Sequence, residues 1–172
     1  MKVLGIDPGL TRCGYGCVEQ VGRKQVARSA GVIRTEPSHA TPRRLADLQA
    51  DIRGLIAEQR PDVVAIERVL FQVNVSTAMA VGQASGVVMA EASAAGCAVL
   101  EYSPNEVKLA VAGWGGADKD QVERMVRTLL NIKVELGPAD VADALAIALC
   151  HLAQAPNGRS LNRADIRGKI TS

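Results

Sequence analysis

Two acidic residues that directly follow short apolar runs constrain this fold more than any other feature. Asp7 ends the apolar run 3–6, and Glu67 ends the apolar run 63–66. An unbroken apolar run is typical of a strand that is buried on both faces. A carboxylate at the end of such a strand is costly to desolvate unless a cation neutralises it. The sequence therefore predicts a fold in which strand ends bring acidic side chains to a common cation-binding point.

A third acidic position lies near the start of a helix predicted over residues 138–154. Asp140 and Asp143 are three residues apart, so they differ by about 60° around the helix and face the same way. The helix dipole favours a carboxylate in the first turn by about 0.3–1 kcal/mol, which accounts for Asp140 but not for Asp143. His151 follows Asp143 by eight residues, about 12 Å along the axis. It is too distant to bind the same ion, and we expect it in a hydrogen-bond network at the helix end.

Oxygen donors with no histidine beside them suit hard ions such as Mg²⁺ or Mn²⁺. Two hard ions held together are a device for cutting or transferring phosphodiesters. Simpler interpretations stay open for each position alone, because Asp7, Pro8 and Gly9 together favour a turn and Glu67 could pair with Arg68. The joint occurrence of all four carboxylates favours a metal site.

Composition and length bound the class of protein. The chain has 172 residues, which is most simply one domain, and only 2% are aromatic, so the core must consist of Val, Ile, Leu and Ala. A net charge of +2 neither favours nor excludes nucleic acid. The least polar long stretch, 78–100, contains Gln83 and Glu91, which argues against a membrane span. Met1 and Lys2 lead directly into a strand, so we expect no signal peptide.

The four cysteines form no CxxC pair and no Cys/His zinc pattern. We interpret Cys13, Cys17, Cys97 and Cys150 as small, reduced core residues, which predicts a cytoplasmic location.

The order of the predicted elements favours an α/β fold, a mixed sheet flanked by helices. Strands are predicted over 3–7, 13–20, 29–35, 63–66 and 98–102, and helices from Thr41 to about 60 and over 76–95, 105–111, 118–130 and 138–154. Thr41 is predicted to be the N-cap of the first helix, with Pro42 at its first helical position. We expect residues 1–155 to form one domain and the polar, basic tail 156–172 to be disordered.

Small residues recur every four positions in the predicted helix 76–95. Ala78, Gly82, Gly86 and Ala90 would let another backbone approach closely. The stripe could pack on the sheet of its own chain or form a helix-to-helix contact in a dimer, and the sequence leaves both alternatives open.

Basic residues gather in one short region, which favours nucleic acid slightly. They are Lys108, Lys119, Arg124, Arg127 and Lys133. Because Asp120 and Glu123 interleave with them, a solvated helix face is an equally good interpretation of the helical members.

The chain as a whole resembles the RuvC family of bacterial Holliday junction resolvases. The resemblance runs from about residue 1 to 152, in order and at the family's spacing. It is carried by segments 5–9, 14–16, 66–67, 82–84, 125–127 and 139–146 together with Gly86, Lys108 and Lys119.

The resemblance implies a ribonuclease H-like fold, with a mixed five-stranded sheet flanked by helices on both faces. It implies a homodimer that nicks four-way DNA junctions symmetrically, in recombination and repair. It also implies two Mg²⁺ ions per subunit, for which Mn²⁺ substitutes, and the branch-migration proteins RuvA and RuvB as partners. By position, the catalytic and metal-binding residues are Asp7, Glu67, Asp140 and Asp143, and residues 1–155 become the nuclease domain.

The same resemblance gives the candidate DNA contacts and shows two departures. Lys108 and Lys119 match basic residues that the family uses near DNA, and we add Arg124 and Arg127 as candidates. Ser85 stands where the family often has arginine, which puts a phosphate contact in doubt.

Leu70 occupies the position of the family's base-contacting phenylalanine, and Phe71 follows it. Both are candidate DNA contacts, and the sequence leaves open which of the two touches the junction.

Two rival functions are weaker. ATP-binding proteins of the actin, Hsp70 and sugar-kinase type share a related core, but they need a second phosphate loop and an adenosine-binding motif that this sequence lacks. A non-catalytic junction-binding protein would gain nothing from four carboxylates facing DNA, because they repel phosphate.

Overall fold

A computed structural model describes residues 1–68 and 75–155, within which five strands and five helices follow one another. They are β1 (Lys2–Asp7), β2 (Arg12–Val21), β3 (Lys24–Arg34), α1 (Thr41–Gln59), β4 (Val63–Glu67), α2 (Val75–Ala94), β5 (Ala98–Tyr102), α3 (Pro104–Ala112), α4 (Lys119–Leu129) and α5 (Ala139–Gln154). Every predicted element is present. Leu70, Phe71 and the tail 156–172 lie outside the described residues.

Two predicted boundaries are wrong. Strand β3 begins at Lys24 rather than at 29, because β2 and β3 form a hairpin with a two-residue turn in which Gly22 has a φ of 59°. Thr41 is the first residue of α1 and not its N-cap; Ala40 holds that position and offers no side-chain hydrogen bond.

The five strands form one mixed sheet in the order β3-β2-β1-β4-β5. β1 pairs antiparallel with β2 and parallel with β4, and β4 pairs parallel with β5. The carboxyl ends of β1, β4 and β5 therefore meet at one edge of the sheet, where β2 begins. With helices on both faces, this is the ribonuclease H-like fold that the family resemblance predicts.

The alternation of side chains along β1 and β4 shows on which face of the sheet Asp7 and Glu67 lie. Leu4 and Ile6 pack into the core beneath α1 and α2, whereas Val3 packs into the core beneath α3, α4 and α5. Side chains two residues apart share a face, so Asp7 lies on the same face as Val3. The same rule places Glu67 with Val63, on the face that α5 covers.

Helix α5 lies unusually close to the sheet because glycines lie beneath it. A β-carbon on Gly5 would overlap the carbonyl oxygen of Ala144, and one on Gly14 would overlap that of Asp140. A β-carbon on Gly16 would come within 2.7 Å of the Leu145 side chain. The absence of side chains at these positions lets the helix rest on the strand backbone, as expected where backbones approach closely.

Helices α1 and α2 cover the opposite face and are joined by an ion pair between Arg53, which is exposed, and Glu91. Arg53 donates to both carboxylate oxygens of Glu91 at 2.9 Å, and Gln49 donates to the same carboxylate at 2.6 Å. These hydrogen bonds hold the pKa of Glu91 below its usual value. The Glu91 carboxylate therefore has partners on both of its oxygens, and these contacts link α2 to α1.

The small-residue stripe of α2 turns from the core to the surface along its length. Ala78 is buried, but Gly82, Gly86 and Ala90 are exposed, and a β-carbon on either glycine would meet no atom within 4 Å. A four-residue step advances about 40° beyond a full turn, so such a stripe drifts around the helix. Packing on the chain's own sheet therefore applies to Ala78 only.

All four cysteines are free thiols, as predicted. Within residues 1–68 and 75–155, no helix combines the length and apolar character that crossing a bilayer requires.

Candidate active site

Three of the four predicted carboxylates line one cavity at the carboxyl edge of the sheet. Ile6 pairs with Ile66 in the parallel ladder, so Asp7 and Glu67 follow side by side on adjacent strands. The first turns of α5 bring Asp143 over them. The cavity has a volume of about 340 Å³ and is lined by Asp7, Glu67, Pro104, Val107, Lys108, Lys119, Val122, Asp143, Ala146 and Ile147.

The cavity holds more negative charge than its cations offset. Burial raises the pKa of Asp7 from 3.8 to about 7, and repulsion by Glu67, Asp143 and Asp140 adds to the effect. Burial and Asp143 also raise the pKa of Glu67, against the opposing effect of a hydrogen bond with Asp7. Because both pKa values are raised, ionisation of these carboxyl groups is unfavourable without a cation, and a divalent cation would bind between them favourably.

The two carboxylates of α5 each have a cationic partner. Lys119 Nζ lies 3.1 Å from Asp143 Oδ2, and the guanidinium of Arg12 contacts Asp140 Oδ2. The hydrogen bond and the charge of Asp143 raise the pKa of Lys119. The strand carboxylates Asp7 and Glu67 therefore bear the uncompensated charge, while the helix carboxylates are neutralised by side chains.

The donor set suits a hard divalent ion, although its arrangement is incomplete. All four candidate ligands are carboxylates, the oxygen donors that Mg²⁺ and Mn²⁺ prefer. Among the described residues, no three acidic, histidine or cysteine side chains are already grouped around one point as metal ligands require. Asp140 and Asp143 would have to leave Arg12 and Lys119 to complete such a set.

Local structure fixes the basic side chains beside the cavity. Helix α3 begins with a capping box, in which Ser103 and Glu106 bond each other's backbone amides, and this fixes the helix that carries Lys108. Helix α4 begins with a second capping box formed by Asp118 and Gln121, immediately before Lys119. Both lysines line the cavity, while their contact with DNA stays a prediction of the family resemblance.

The structure does not bring the predicted Arg124 and Arg127 to this cavity. They lie five and eight residues beyond Lys119, about 8 and 12 Å further along α4. They line a separate surface cavity of about 480 Å³, together with Thr128, Asn131, Ile132 and Lys133. The basic residues therefore form two groups rather than one, and a DNA contact by the second group stays a prediction.

Sequence reasoning missed Arg12 as the partner of Asp140. The two residues are 128 positions apart, and Arg12 belongs to no motif that singles it out. The only available signal was its location at the start of β2, opposite the end of β1.

The expected role of His151 in a network is confirmed. Its Nδ1 lies 2.6 Å from the Tyr102 hydroxyl in the core between β5 and α5. Burial lowers the pKa of His151 and raises that of Tyr102 to about 12, so both groups are neutral.

A larger cavity lies elsewhere but lacks this chemistry. It measures about 550 Å³ and lies between the ends of α1 and α2. Its only carboxylate, Glu91, is already held by Arg53 and Gln49. Charge and chemistry therefore favour the smaller cavity as the functional site.

Comparison with known proteins places this site in a family. The family model described as "Crossover junction endodeoxyribonuclease RuvC" matches residues 3–151. A protein of that name from Salinispora arenicola strain CNS-205 is 52% identical over 153 residues, covering 88% of this chain and 87% of its own.

Two solved structures are similar over nearly the whole fold. A structure of Thermus thermophilus RuvC has a TM-score of 0.82 and 39% identity, and covers 89% of this chain and 94% of its own. T. thermophilus RuvC in complex with a Holliday junction substrate has a TM-score of 0.81 and 36% identity, with the same coverage.

The electrostatics of the site predict that Asp7 holds a proton near neutral pH when no metal is bound. Glu67→Gln should lower the pKa of Asp7, because it removes the largest of the repulsive charges. The measurement is an NMR titration of the labelled Asp side-chain carbonyl carbons, with a chelator present. An Asp7 that titrates near 3.8 in the unmodified protein would contradict this account.

The same shift predicts a pH-dependent stability. Because folding raises the pKa of Asp7, its ionisation destabilises the folded state progressively as the pH rises from 3.8 towards 7. Asp7→Asn should therefore gain stability over the unmodified protein across that range, by no more than about 4 kcal/mol. Urea unfolding without metal measures the difference, and a constant difference at every pH would show that Asp7 does not cause it.

Proposed function

The chain belongs to the RuvC family of crossover junction endodeoxyribonucleases, and from that premise we propose that it resolves Holliday junctions by hydrolysing DNA phosphodiesters in recombination and repair. The observation that carries the proposal is the convergence of strand and helix carboxylates on one cavity that two lysines border. Among the described residues, no other group of side chains suits phosphodiester hydrolysis as well as these neighbouring carboxylates and lysines.

We propose Asp7, Glu67, Asp140 and Asp143 as the ligands of divalent ions, with Mg²⁺ as the natural metal and two ions per subunit. When bound, the ions would activate water for attack on the phosphorus and stabilise the departing oxygen. A bound cation would lower the raised pKa values of Asp7 and Glu67, because it favours the ionised form of both groups.

The basic side chains would bind the substrate. Lys108 and Lys119 border the cavity and would neutralise the phosphate that enters it. Lys119 and Arg12 hold Asp143 and Asp140 in the free protein. If those carboxylates turn towards metal, both cations become available to phosphates of the cleaved strand. Lys119 and Arg12 would then pair with carboxylates in the free protein and with DNA phosphates in the complex.

The rival functions have less support. An ATP-binding protein of the kinase type would need a phosphate loop, whereas a mixed group of carboxylates and lysines lines the cavity. A non-catalytic junction binder would carry the electrostatic cost of the Asp7–Glu67 pair without using it.

Amide substitutions test the proposed ligands. Asp7→Asn, Glu67→Gln, Asp140→Asn and Asp143→Asn should each lower junction cleavage on the order of 100-fold or more, while junction binding is kept or strengthened. The amide has nearly the same shape, so the change removes metal-binding charge and repulsion of phosphate together. Rates with Mg²⁺ on a synthetic junction, alongside gel-shift affinities, measure both effects.

A matched control for the amide series is Glu101→Gln. Glu101 is exposed on β5, the strand beside β4, and does not line the cavity. The Glu101→Gln variant should cleave the junction at the same rate as the unmodified protein. Normal cleavage by a site variant would remove that residue from the proposed ligand set. ATP hydrolysis by the unmodified protein, without junction cleavage, would favour the kinase-type alternative.

We propose that two copies assemble through the exposed stripe of α2. Gly82, Gly86 and Ala90 lie on the surface, and Val75 and Met79 on the same helix are 74% and 61% exposed. An exposed helix face of apolar and small residues allows a second helix to approach its backbone closely. A dimer would offer two sites to the two symmetric strands of a junction. RuvA and RuvB as further partners, and a cytoplasmic location, stay predictions of the resemblance and the cysteine usage.

Gly86→Glu tests this interface. The substitution fits the free subunit, because nothing lies within 4 Å of the added β-carbon, but it places a charge and bulk between the two helices. We expect a folded monomer that has lost paired nicking of the junction. Analytical ultracentrifugation measures the assembly.

Gly54→Glu provides the control for this substitution. Gly54 is an exposed glycine in α1 with equally open surroundings, so both variants gain similar helix propensity. The Gly54→Glu variant should remain dimeric. A dimer unchanged by Gly86→Glu would exclude this part of α2 from the interface.

A further inference from the structure

The single tryptophan of the chain is exposed in the loop that joins α3 and α4. Trp114 has 54% of its surface accessible, in a chain with only one tryptophan, two tyrosines and one phenylalanine. A large aromatic side chain gains free energy by burial. An exposed one in so aromatic-poor a protein therefore calls for a partner.

The loop holds the indole ring in a defined position. A β-carbon on Gly116 would overlap the six-membered ring of Trp114, so the ring lies directly against the backbone of Gly116. The Trp114 carbonyl also accepts a hydrogen bond from the Ala117 amide at 3.4 Å, which closes a turn before α4. The ring is thus seated on its own loop, with much of its surface left open to solvent.

The loop is attached to the helix that carries an active-site lysine. A β-carbon on Gly115 would overlap the side-chain oxygen of Asn105, so the loop backbone rests on the first turn of α3. Asn105 and Lys108 are three residues apart and therefore neighbours on one face of α3. At its other end the loop leads into Lys119. The loop thus joins the two helices, α3 and α4, whose lysines line the acidic cavity.

Two of the acidic side chains near the loop are occupied by their own helices, whereas Asp120 in the first turn of α4 is exposed. Glu106 binds the amide and hydroxyl of Ser103, and Asp118 accepts from the amide of Gln121. Their charges are directed to helix N-termini, whereas Lys108 and Lys119 point into the cavity. Trp114 lies in the loop that joins the two helices on which these lysines lie. Lysines and an aromatic ring on neighbouring segments match a nucleic-acid strand, whose phosphates attract the cations and whose bases stack on the ring.

From these contacts we infer that Trp114 stacks on a base of the junction DNA beside the cut strand. The inference rests on the proposed function, because it assumes that the strand enters the cavity between Lys108 and Lys119. The ring contributes binding of the substrate and no chemistry. It supplies a contact at an unpaired or splayed base that a fully stacked linear duplex does not offer.

Trp114 itself reports the contact, since no other tryptophan emits. We expect a four-way junction to quench the emission of the full-length protein in the presence of a chelator, and to shield the ring from acrylamide. A linear duplex of the same base composition, bound to the same extent, should do neither. An emission that stays unchanged when the junction is fully bound would overturn the inference.

Substitutions provide a second readout. Trp114→Ala should bind the junction about 5- to 150-fold more weakly, the loss expected for one base-stacking contact. Trp114→Phe should restore most of that affinity, because it retains an aromatic face. Val21→Ala is the matched control, since Val21 is 48% exposed but lies at the opposite end of β2 from the acidic cluster. Circular dichroism checks that each variant is folded.

The outcomes separate this inference from the proposed function. If the unmodified protein binds and cuts the junction while Trp114→Ala binds equally well, the stacking contact is wrong and the function stands. If the unmodified protein neither binds nor cuts junctions, the proposed function itself fails. Emission that changes on dilution without DNA would show that the ring is covered by a second copy, which also overturns the inference.

Discussion

Helix α5 rests on the backbone of β1 and β2, and the position of its carboxylates relative to those of the strands follows from that contact. Side chains at Gly5 or Gly14 would overlap carbonyl oxygens of the helix, so only glycine permits this distance. The contact carries the first turns of α5 to the carboxyl end of β1. Asp143 is thereby brought over Asp7 and into one cavity with it. A larger residue beneath the helix would move half of the acidic cluster away from the other half.

The carboxylates of the resulting site repel one another in the free protein, and only some of them have a cationic partner. Asp140 and Asp143 have Arg12 and Lys119 as partners, whereas burial and neighbouring carboxylates raise the pKa of both Asp7 and Glu67. Perturbed carboxyl groups in a cleft are typical of functional sites, because a structure selected for stability alone would not retain them. This imbalance is the electrostatic basis of the proposal that Asp7 and Glu67 bind a divalent cation. The proposed use of Arg12 and Lys119 by DNA depends on the same step, since both are paired with Asp140 and Asp143 in the free protein.

The sequence predicts those parts of the site that local patterns determine. The apolar runs before Asp7 and Glu67 mark them as strand ends, and helical spacing places Asp140 and Asp143 on one side of α5. Arg12 could not be predicted, because its contact depends on how two distant elements meet. Arg124 and Arg127 are near Lys119 in sequence, but their distance along α4 separates them from the cavity, and the rise of the predicted helix already implied that separation. The stripe of α2 was ambiguous for a related reason, since its four-residue spacing drifts from core to surface.

The most direct test of the account is to locate the metal. Anomalous diffraction from crystals of the full chain with Mn²⁺, at a concentration that supports junction cleavage, should show manganese between Asp7 and Glu67. Asp140 and Asp143 should be turned away from Arg12 and Lys119 in the same crystals. Manganese bound elsewhere, with both ion pairs intact in protein that still cuts junctions, would contradict the central claim that these four carboxylates hold the catalytic ions.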